Sequence, residues 1–280
     1  MNKNFIRIIP KLDIKNGQLI KGINLEGLRV LGDPYNFANI YSKHGADEIS
    51  YVDNVATLYG TNNLNKFVAK TAKNLRIPLS VGGGLRSHKD IENSLVSGAD
   101  KVCVNSAVVK NLKFLKSSVK IFGSSTIAVI IECIRLKNKY FISTSNGRDL
   151  IDINPINWAK KIEDCGAGEI FLTSVNNEGL REGFDINLTK KISKSVSIPV
   201  VAHGGAGSFD NILKVIRQTK INGVSIASFL HYDYVNIFKL KKGKIGNYEF
   251  LENLKKNKNK NLNKILELKK FLKRNKINVR

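Results

Sequence analysis

The sequence predicts an α/β fold: a closed (β/α)8 barrel of the TIM-barrel class, built from two duplicated half-barrels. The first observation is a glycine-rich stretch that occurs twice, at residues 81–84 and 203–207. The second is that each copy follows a short apolar run, 77–80 or 198–201, which begins with Ile-Pro. An apolar, β-branched run that breaks into glycines is typical of a buried strand ending in a tight loop.

The third observation is that the repeat extends beyond the glycines. Pro34 and Glu48 recur as Pro155 and Glu169, each 121 positions later, and a Gly-Ala pair and the Ile-Pro pair recur at the same distance. A constant offset without slippage indicates a duplicated unit of about 120 residues.

Short apolar strands alternate with helical patterns along both halves. The predicted strands are residues 5–12, 48–52, 77–81, 101–104, 126–131, 169–172, 198–202 and 223–227. The predicted helices are residues 35–44, 64–75, 89–97, 112–120, 156–165, 188–196 and 210–219. This alternation predicts a parallel sheet. Eight units made by duplication favour a closed barrel over an open, doubly wound sheet.

The chain continues beyond the eighth strand, so we predict three parts. Residues 1–238 form the barrel, residues 239–262 are a Lys/Asn-rich insertion, and residues 263–280 close the chain as a helix packed on the barrel. The last segment carries Ile265, Leu266 and Leu268, with further apolar residues at 271 and 272, on one predicted helical face.

The net charge of +23 allows two interpretations. It could mark a nucleic-acid partner, or it could reflect a compositional bias, because Lys, Asn and Ile are abundant throughout. Residues 239–280 hold 15 basic and 3 acidic residues, a surplus of 12 that lies outside the repeat. Aromatic residues for base stacking are sparse there, so compositional bias is favoured and no nucleic-acid partner is expected.

Composition also indicates the cellular compartment of the protein. Cys103, Cys133 and Cys165 are odd in number and lack metal-ligand or redox spacing, which indicates buried or free thiols in a reducing compartment. No apolar run approaches the roughly 20 residues needed to span a membrane, and the N-terminal strand is too short for a signal peptide. We expect a cytoplasmic enzyme with no metal, no cofactor and no membrane partner.

Two acidic residues follow predicted strands that lie opposite each other in an eight-stranded barrel. Asp13 comes after strand one and Glu132 after strand five. Active sites of such barrels lie at the C-terminal ends of the strands. Two carboxylates facing one another across the mouth suit general acid and base catalysis. The alternative is that each merely caps a loop, but their equivalent places in a duplicated barrel favour catalysis.

The loops after strands three, four, seven and eight predict two anion sites. Exposed backbone N–H groups after such strands commonly bind phosphate. The candidate phosphate-binding residues are Gly83, Gly84, Asn105, Ser106, Gly204, Gly205, Ala227 and Ser228. Sites on opposite sides of the mouth predict a long substrate with a phosphate at each end. The alternative is that the glycines only shape tight turns.

Several strands also begin with a charged residue: Arg7, Glu48, Lys101 and Glu169. Isolated buried charges are costly, so these should pair. Two cations and two anions could form a neutral ring that closes the bottom of the barrel. From spacing alone, a structural salt-bridge layer or a solvated rim is favoured.

At these residues the chain resembles a known family, the cyclase subunit of imidazole glycerol phosphate synthase, over nearly its full length. The matching stretches are residues 7–13, 81–84, 98–101, 166–169, 172–174, 204–207 and 278–280. The resemblance implies a half-barrel duplication and a ribulosyl substrate with a phosphate at each end. It also implies a reaction that yields imidazole glycerol phosphate and an aminoimidazole carboxamide ribotide, with catalysis by acidic residues on strands one and five.

The resemblance further implies that ammonia, made by a glutaminase partner docked at the bottom face near Asp100, enters through a four-residue charged gate. The ring residues align with that gate, so the resemblance overturns the structural interpretation favoured above. It adds Gly179 to the phosphate-binding set. It also implies a substrate-binding set of Lys21, Asp53, Thr173, Ser174 and Glu178.

The departures from the family pattern lie at the substrate end. Glu132, Asn176 and Glu178 replace aspartates, His203 replaces a serine, and Lys11 replaces a residue that is usually cysteine. One added methylene at position 132 moves the carboxylate by roughly 1 Å, which can cost about a hundredfold in rate. An alternative is therefore a paralogue that delivers ammonia for sugar amidination in surface-polysaccharide biosynthesis.

Overall fold

A computed structural model describes residues 5–56, 64–235, 247–256 and 263–280. It confirms the closed (β/α)8 barrel. Eight parallel strands pair around a ring in the order β1, β4, β5, β6, β7, β10, β11 and β12, and β12 pairs back with β1. In this ring β1 and β7 lie opposite each other, four strands apart in either direction.

The bounds of the elements follow the predicted alternation. The strands are β1 (Arg7–Lys15), β2 (Gln18–Ile23), β3 (Glu26–Gly32), β4 (Ile49–Asp53), β5 (Leu79–Gly82), β6 (Lys101–Val104), β7 (Ile127–Leu136), β8 (Lys139–Thr144), β9 (Asp149–Ile151), β10 (Glu169–Ser174), β11 (Val200–His203) and β12 (Gly223–Ile226). The α-helices are Pro34–Lys43, Asn65–Ala72, His88–Val96, Ser106–Lys110, Leu112–Phe122, Pro155–Asp164, Ile186–Ser195, Phe209–Gln218, Ser228–Tyr234, Tyr248–Lys256 and Lys264–Arg274. Each predicted barrel strand begins within two residues of its observed start.

One expectation about strand ends is wrong. Asp13 and Glu132 do not follow their strands but lie within β1 and β7, which continue beyond the barrel and pair with antiparallel strands. The hairpins β2–β3 and β8–β9 were not predicted. A signal for β2 was present, because Asn16 and Gly17 join it to β1 in a two-residue turn with φ of 50° and 72°, the conformation for which Asn-Gly is preferred.

The main apolar core lies between the barrel and the surrounding helices. It takes the outward residues of every barrel strand, such as Ile8, Leu12 and Tyr51, together with the buried faces of the helices. A second, smaller cluster fills the inside of the barrel. Its members come from β1, β4, β6, β7, β10 and β11: Ile9, Val52, Cys103, Ala128, Ile130, Phe171 and Val201. Inward residues therefore alternate with core residues along each strand, as a filled barrel requires.

The described C-terminal segments pack on the barrel. In the helix Lys264–Arg274, Ile265, Leu268 and Leu272 are fully buried, and Lys269 pairs with Asp47 at 2.7 Å. Within the predicted insertion, the helix Tyr248–Lys256 lies against β3, because the Asn247 side chain bonds both the N–H and the C=O of Val30. Residues 239–246 and 257–262 lie outside the described residues, and the three-part division of the chain stays a prediction.

Candidate functional site

A ring of four charged side chains lies at the bottom of the barrel. Arg7 donates to Glu48 at 2.7 Å and to Glu169, while Lys101 donates to Glu169 at 2.5 Å and to Glu48 at 3.5 Å. Burial lowers the pKa of both cations, but the two carboxylates more than reverse this, so the pKa of each cation is raised. The residues predicted from the strand starts are thus brought together into a ring with two positive and two negative charges.

The apolar cluster inside the barrel separates this ring from the mouth. On β1 the inward residues from bottom to top are Arg7, Ile9, Lys11 and Asp13, since alternate residues of a strand point to one face. Cys103 lies in the apolar layer, where burial raises its thiol pKa to about 12. The inside of the barrel therefore has a charged ring at one end, an apolar middle and a charged mouth.

At the mouth, Asp13 is paired with a buried lysine of its own strand. The Nζ atom of Lys11 donates to Asp13 Oδ1, and the two residues are 7% and 2% exposed. Burial alone would raise the pKa of Asp13, but the charges of Lys11 and Lys21 overcome this and hold it at about 2. Asp13 is therefore ionised throughout the neutral range. Sequence reasoning noted Lys11 only as a departure and missed its contact with Asp13.

Glu132, from the opposite side of the ring, has the contrary environment. It lines a cavity of about 440 Å³, and its Oε2 atom has no hydrogen-bond partner among the described residues. Burial raises its pKa to about 7, with Lys11 opposing and Asp13 reinforcing the shift. Asp13 is not among the residues that line this cavity, but its charge reaches Glu132 across the mouth. The mouth thus pairs an ionised carboxylate with one that is protonated below about pH 7.

This assignment gives a stability prediction for Glu132→Gln. Between pH 4.5 and 7 the folded chain keeps a proton on Glu132 that the unfolded chain has lost, so this residue's contribution to stability falls as pH rises. Glutamine is neutral at every pH. We expect the variant to exceed the original chain by roughly 1 to 3 kcal/mol at pH 8 and by much less at pH 5, measured by urea unfolding at both values.

The control is Glu163→Gln, a partly exposed glutamate whose pKa is lowered, first of all by the hydrogen bond from the Ser197 hydroxyl. This variant should lose stability at pH 8, the opposite sign. An identical difference at pH 5 and pH 8 for Glu132→Gln would contradict the shifted pKa.

The first predicted phosphate cradle borders the large cavity. Gly83, Gly84, Asn105 and Ser106 all line it, together with Asp53. Gly83 has φ of +100°, and a Cβ atom there would lie 2.3 Å from the Asp53 carbonyl oxygen, so only glycine fits. Asp53 itself accepts from the N–H groups of Val55 and Ala56, which places it as a support of the loop after β4. Arg86 and Lys110 add two cations to the wall of this cavity.

The second predicted cradle is much tighter. Its cavity holds only about 10 Å³, enough for about one water molecule. The structure brings the predicted residues together with Glu178 and with His203, which was not in the predicted set. The lining residues are Glu178, Gly179, His203, Gly204, Gly205, Ala206, Ser225, Ala227 and Ser228.

The remaining predicted substrate residues surround the second cradle. Lys21 and Glu178 form a buried ion pair, and Glu178 also accepts from the backbone N–H of Leu25 at 3.1 Å. A Cβ on Gly179 would lie 2.7 Å from the carbonyl oxygen of Gly22, so the β2–β3 hairpin covers this side of the mouth. Thr173 and Ser174 end β10 and are both buried, and Ser174 bonds Asn177 at 2.8 Å.

No helix in the part of the chain that the structure describes is long and apolar enough to cross a membrane. Nor do its histidine, cysteine and acidic residues form a group of three or more that could hold a metal ion.

Fold and site together define the class: a duplicated (β/α)8 barrel with a charged ring at the bottom and opposed carboxylates at the mouth. Comparison with known proteins gives the family. The sequence model of the histidine biosynthesis protein family matches residues 7–236. The chain belongs to this family, and within it the chain is a HisF-like cyclase subunit.

The relatives share much of the sequence. The imidazole glycerol phosphate synthase subunit HisF of Bacillus cereus (strain Q1) is 44% identical over 237 residues, 84% of this chain and 94% of that protein. The subunit of the same name from Sulfolobus acidocaldarius is 44% identical over 236 residues, with the same coverage. The one from Legionella pneumophila is 48% identical over 206 residues, 73% of this chain and 97% of its own.

Proposed function

We propose that this protein is the cyclase subunit of an imidazole glycerol phosphate synthase in histidine biosynthesis, a lyase-type enzyme of the cytoplasm. It takes ammonia from a glutaminase subunit docked at the bottom of the barrel. It converts a bisphosphorylated ribulosyl aminoimidazole carboxamide to imidazole glycerol phosphate and aminoimidazole carboxamide ribotide. The observation that carries the proposal is the opposed pair at the mouth, Asp13 ionised and Glu132 protonated, above a charged ring.

The pair suits the addition of ammonia to a carbonyl carbon. When the N–C bond forms, the nitrogen must lose a proton and the carbonyl oxygen must gain one, which gives a carbinolamine. Loss of its hydroxyl group as water then moves a second proton from the nitrogen to the oxygen. In each transfer an ionised Asp13 can accept the proton from nitrogen and a protonated Glu132 can donate one to oxygen, and proton exchange between the two carboxyl groups resets the pair. Two carboxyl groups can act as a base and an acid at the same pH only when their pKa values differ. The pKa values of Asp13 and Glu132, about 2 and about 7, meet this requirement. The same groups can serve the later ring closure and bond cleavage.

The reaction is tested directly with the purified full-length chain, the ribulosyl substrate and an ammonium salt. We expect formation of imidazole glycerol phosphate and the carboxamide ribotide in equal amounts, without any glutaminase. Absence of both products at saturating ammonium, from protein that is folded by circular dichroism, would refute the proposed function.

The role of the ring is tested by Lys101→Met. The change leaves one cation facing the two buried carboxylates of Glu48 and Glu169, so we expect a loss of about 3 kcal/mol in unfolding free energy. In the complex with the glutaminase, we expect glutamine-driven turnover to fall at least tenfold relative to ammonium-driven turnover. Lys101→Arg, which keeps the charge, is the control and should lose less of the coupling. Equal losses of both activities would show that the ring is only structural.

The mouth favours a second candidate function. Lys11, Glu132 and His203 change the substrate end, while the bottom ring keeps all four charges. The chain could then deliver ammonia for sugar amidination in surface-polysaccharide biosynthesis and cyclise poorly. Restoration of growth in a histidine auxotroph that lacks its own cyclase subunit separates the two. Growth at the normal rate supports the cyclase, and glutaminase binding without growth supports the second candidate.

A further inference from the structure

His203 is held in one orientation at the end of β11. Its Nδ1 atom lies 3.0 Å from the carbonyl oxygen of Ser225, and the residue is only 5% exposed. A carbonyl oxygen can only accept a hydrogen bond, so Nδ1 carries the proton. The other ring nitrogen, Nε2, is therefore the unprotonated one and presents a lone pair.

That lone pair has no partner among the described residues. Nε2 of His203 is a buried polar atom without a hydrogen bond, and the ring lines the second cradle beside Gly204, Gly205 and Ala227. An unpaired buried acceptor costs about 1 to 3 kcal/mol, so such an atom in a site is expected to meet a donor when the ligand is present.

Burial, more than the surrounding charges, keeps the ring neutral. Burial lowers the pKa of His203 to about 3, and Lys11 contributes in the same direction while Asp13 opposes it. A neutral imidazole with Nδ1 already donating can only accept at Nε2. It offers nothing to a fully ionised phosphate oxygen, whereas it is complementary to an O–H group.

We propose that His203 is a specificity-determining residue that accepts a hydrogen bond from a substrate hydroxyl next to the phosphate in the second cradle. The ligand class is a phosphorylated polyol: the glycine-loop amides bind the phosphate, and Nε2 binds the neighbouring O–H. This deepens the proposed function, because the glycerol phosphate end of the product has this chemistry. The side chain at 203 then distinguishes a phosphorylated polyol from phosphate alone.

The test uses glycerol 3-phosphate and inorganic phosphate as probes on the full-length chain labelled with ¹⁵N. The chain has four histidines, and loss of one signal in His203→Ala assigns the ring. We expect an Nδ1–H tautomer in the free protein. Glycerol 3-phosphate should move the Nε2 signal upfield and shift the Gly204 and Gly205 amides, whereas inorganic phosphate should shift only the amides.

The affinities of His203 variants for the two probes give a second measurement. His203→Ala should bind glycerol 3-phosphate about tenfold more weakly, the equivalent of one hydrogen bond, with inorganic phosphate changed less than twofold. His203→Gln keeps an acceptor near the Nε2 position and should recover most of the affinity. These probes need no turnover, so a failed cyclase assay leaves this test intact.

Four outcomes would overturn the inference. The first is an Nε2–H tautomer in the free protein. The second is saturation of the Gly204 and Gly205 amides by glycerol 3-phosphate without a change at Nε2, and the third is no binding of this probe at those amides. The fourth is equal weakening of both probes by His203→Ala, because it indicates a structural role for the ring.

Discussion

Replacing Lys11 by methionine is expected to lower the free energy of unfolding by about 3 to 5 kcal/mol, because it leaves the buried carboxylate of Asp13 without its cation. The pKa of Asp13 is depressed, so the pair stabilises the fold fully above about pH 4 and loses its contribution as pH falls toward 2. Urea unfolding at pH 7 therefore measures the full effect.

A double variant separates the lost pairing from lost packing. Lys11→Met together with Asp13→Asn removes both charges, and we expect it to recover most of the stability that Lys11→Met loses. The matched control is Lys89→Met, which removes a lysine from an exposed pair with Glu92 at 2.8 Å and should cost less than about 1 kcal/mol. A loss below 1 kcal/mol for Lys11→Met, or no recovery in the double variant, would show that the two side chains do not form an ion pair.

The second large effect is on turnover. Asp13→Asn is expected to reduce ammonium-driven turnover by about 10² to 10⁴-fold, because asparagine cannot accept the proton that the attacking nitrogen releases. The variant leaves Lys11 buried and unpaired, so it could lose stability as well. The measurement is kcat per folded molecule, with the folded fraction taken from circular dichroism at the assay temperature.

Two further variants keep this test decisive. The double variant Lys11→Met/Asp13→Asn carries no unpaired charge and should be folded but equally inactive. Asp47→Asn is the matched control, because Asp47 is also a buried, paired carboxylate but bonds Lys269 and the backbone N–H of Ile8 on the outer side of β1. We expect Asp47→Asn to lower the melting temperature and leave kcat unchanged. If Asp13→Asn keeps more than a tenth of the turnover, Asp13 is not the base.

Much of the architecture could be predicted because it repeats. The strand starts followed from apolar runs ending in glycine, and the 121-residue offset made the two halves support each other. The two hairpins were missed because their strands are partly exposed and do not share the apolar character of the barrel strands. Only local turn residues marked the first of them: Asn16 and Gly17 form the turn that joins β1 to β2.

The candidate site was also predictable only in part. Arg7, Glu48, Lys101 and Glu169 could be grouped because their positions at strand starts place them at one end of any parallel barrel. The pairing of Lys11 with Asp13 was not apparent, because a lysine in a strand is read as a solvated side chain unless its face is known. The free Nε2 of His203 and the contrast between cavities of about 440 and 10 Å³ depend on loops that are distant in sequence.

The sequence by itself determined the duplicated barrel, the opposition of the acidic residues on its first and fifth strands, and the placement of four charged residues at one end of the barrel. All of these follow from the repeat spacing and from residue positions along the chain. In a parallel barrel, the position of a residue within its strand decides at which end of the barrel it lies. Only the tertiary structure decided which carboxylate is ionised, which cradle is open and which polar atom lacks a partner. These properties depend on burial and on neighbours from other strands, and electrostatic free energies change steeply with both.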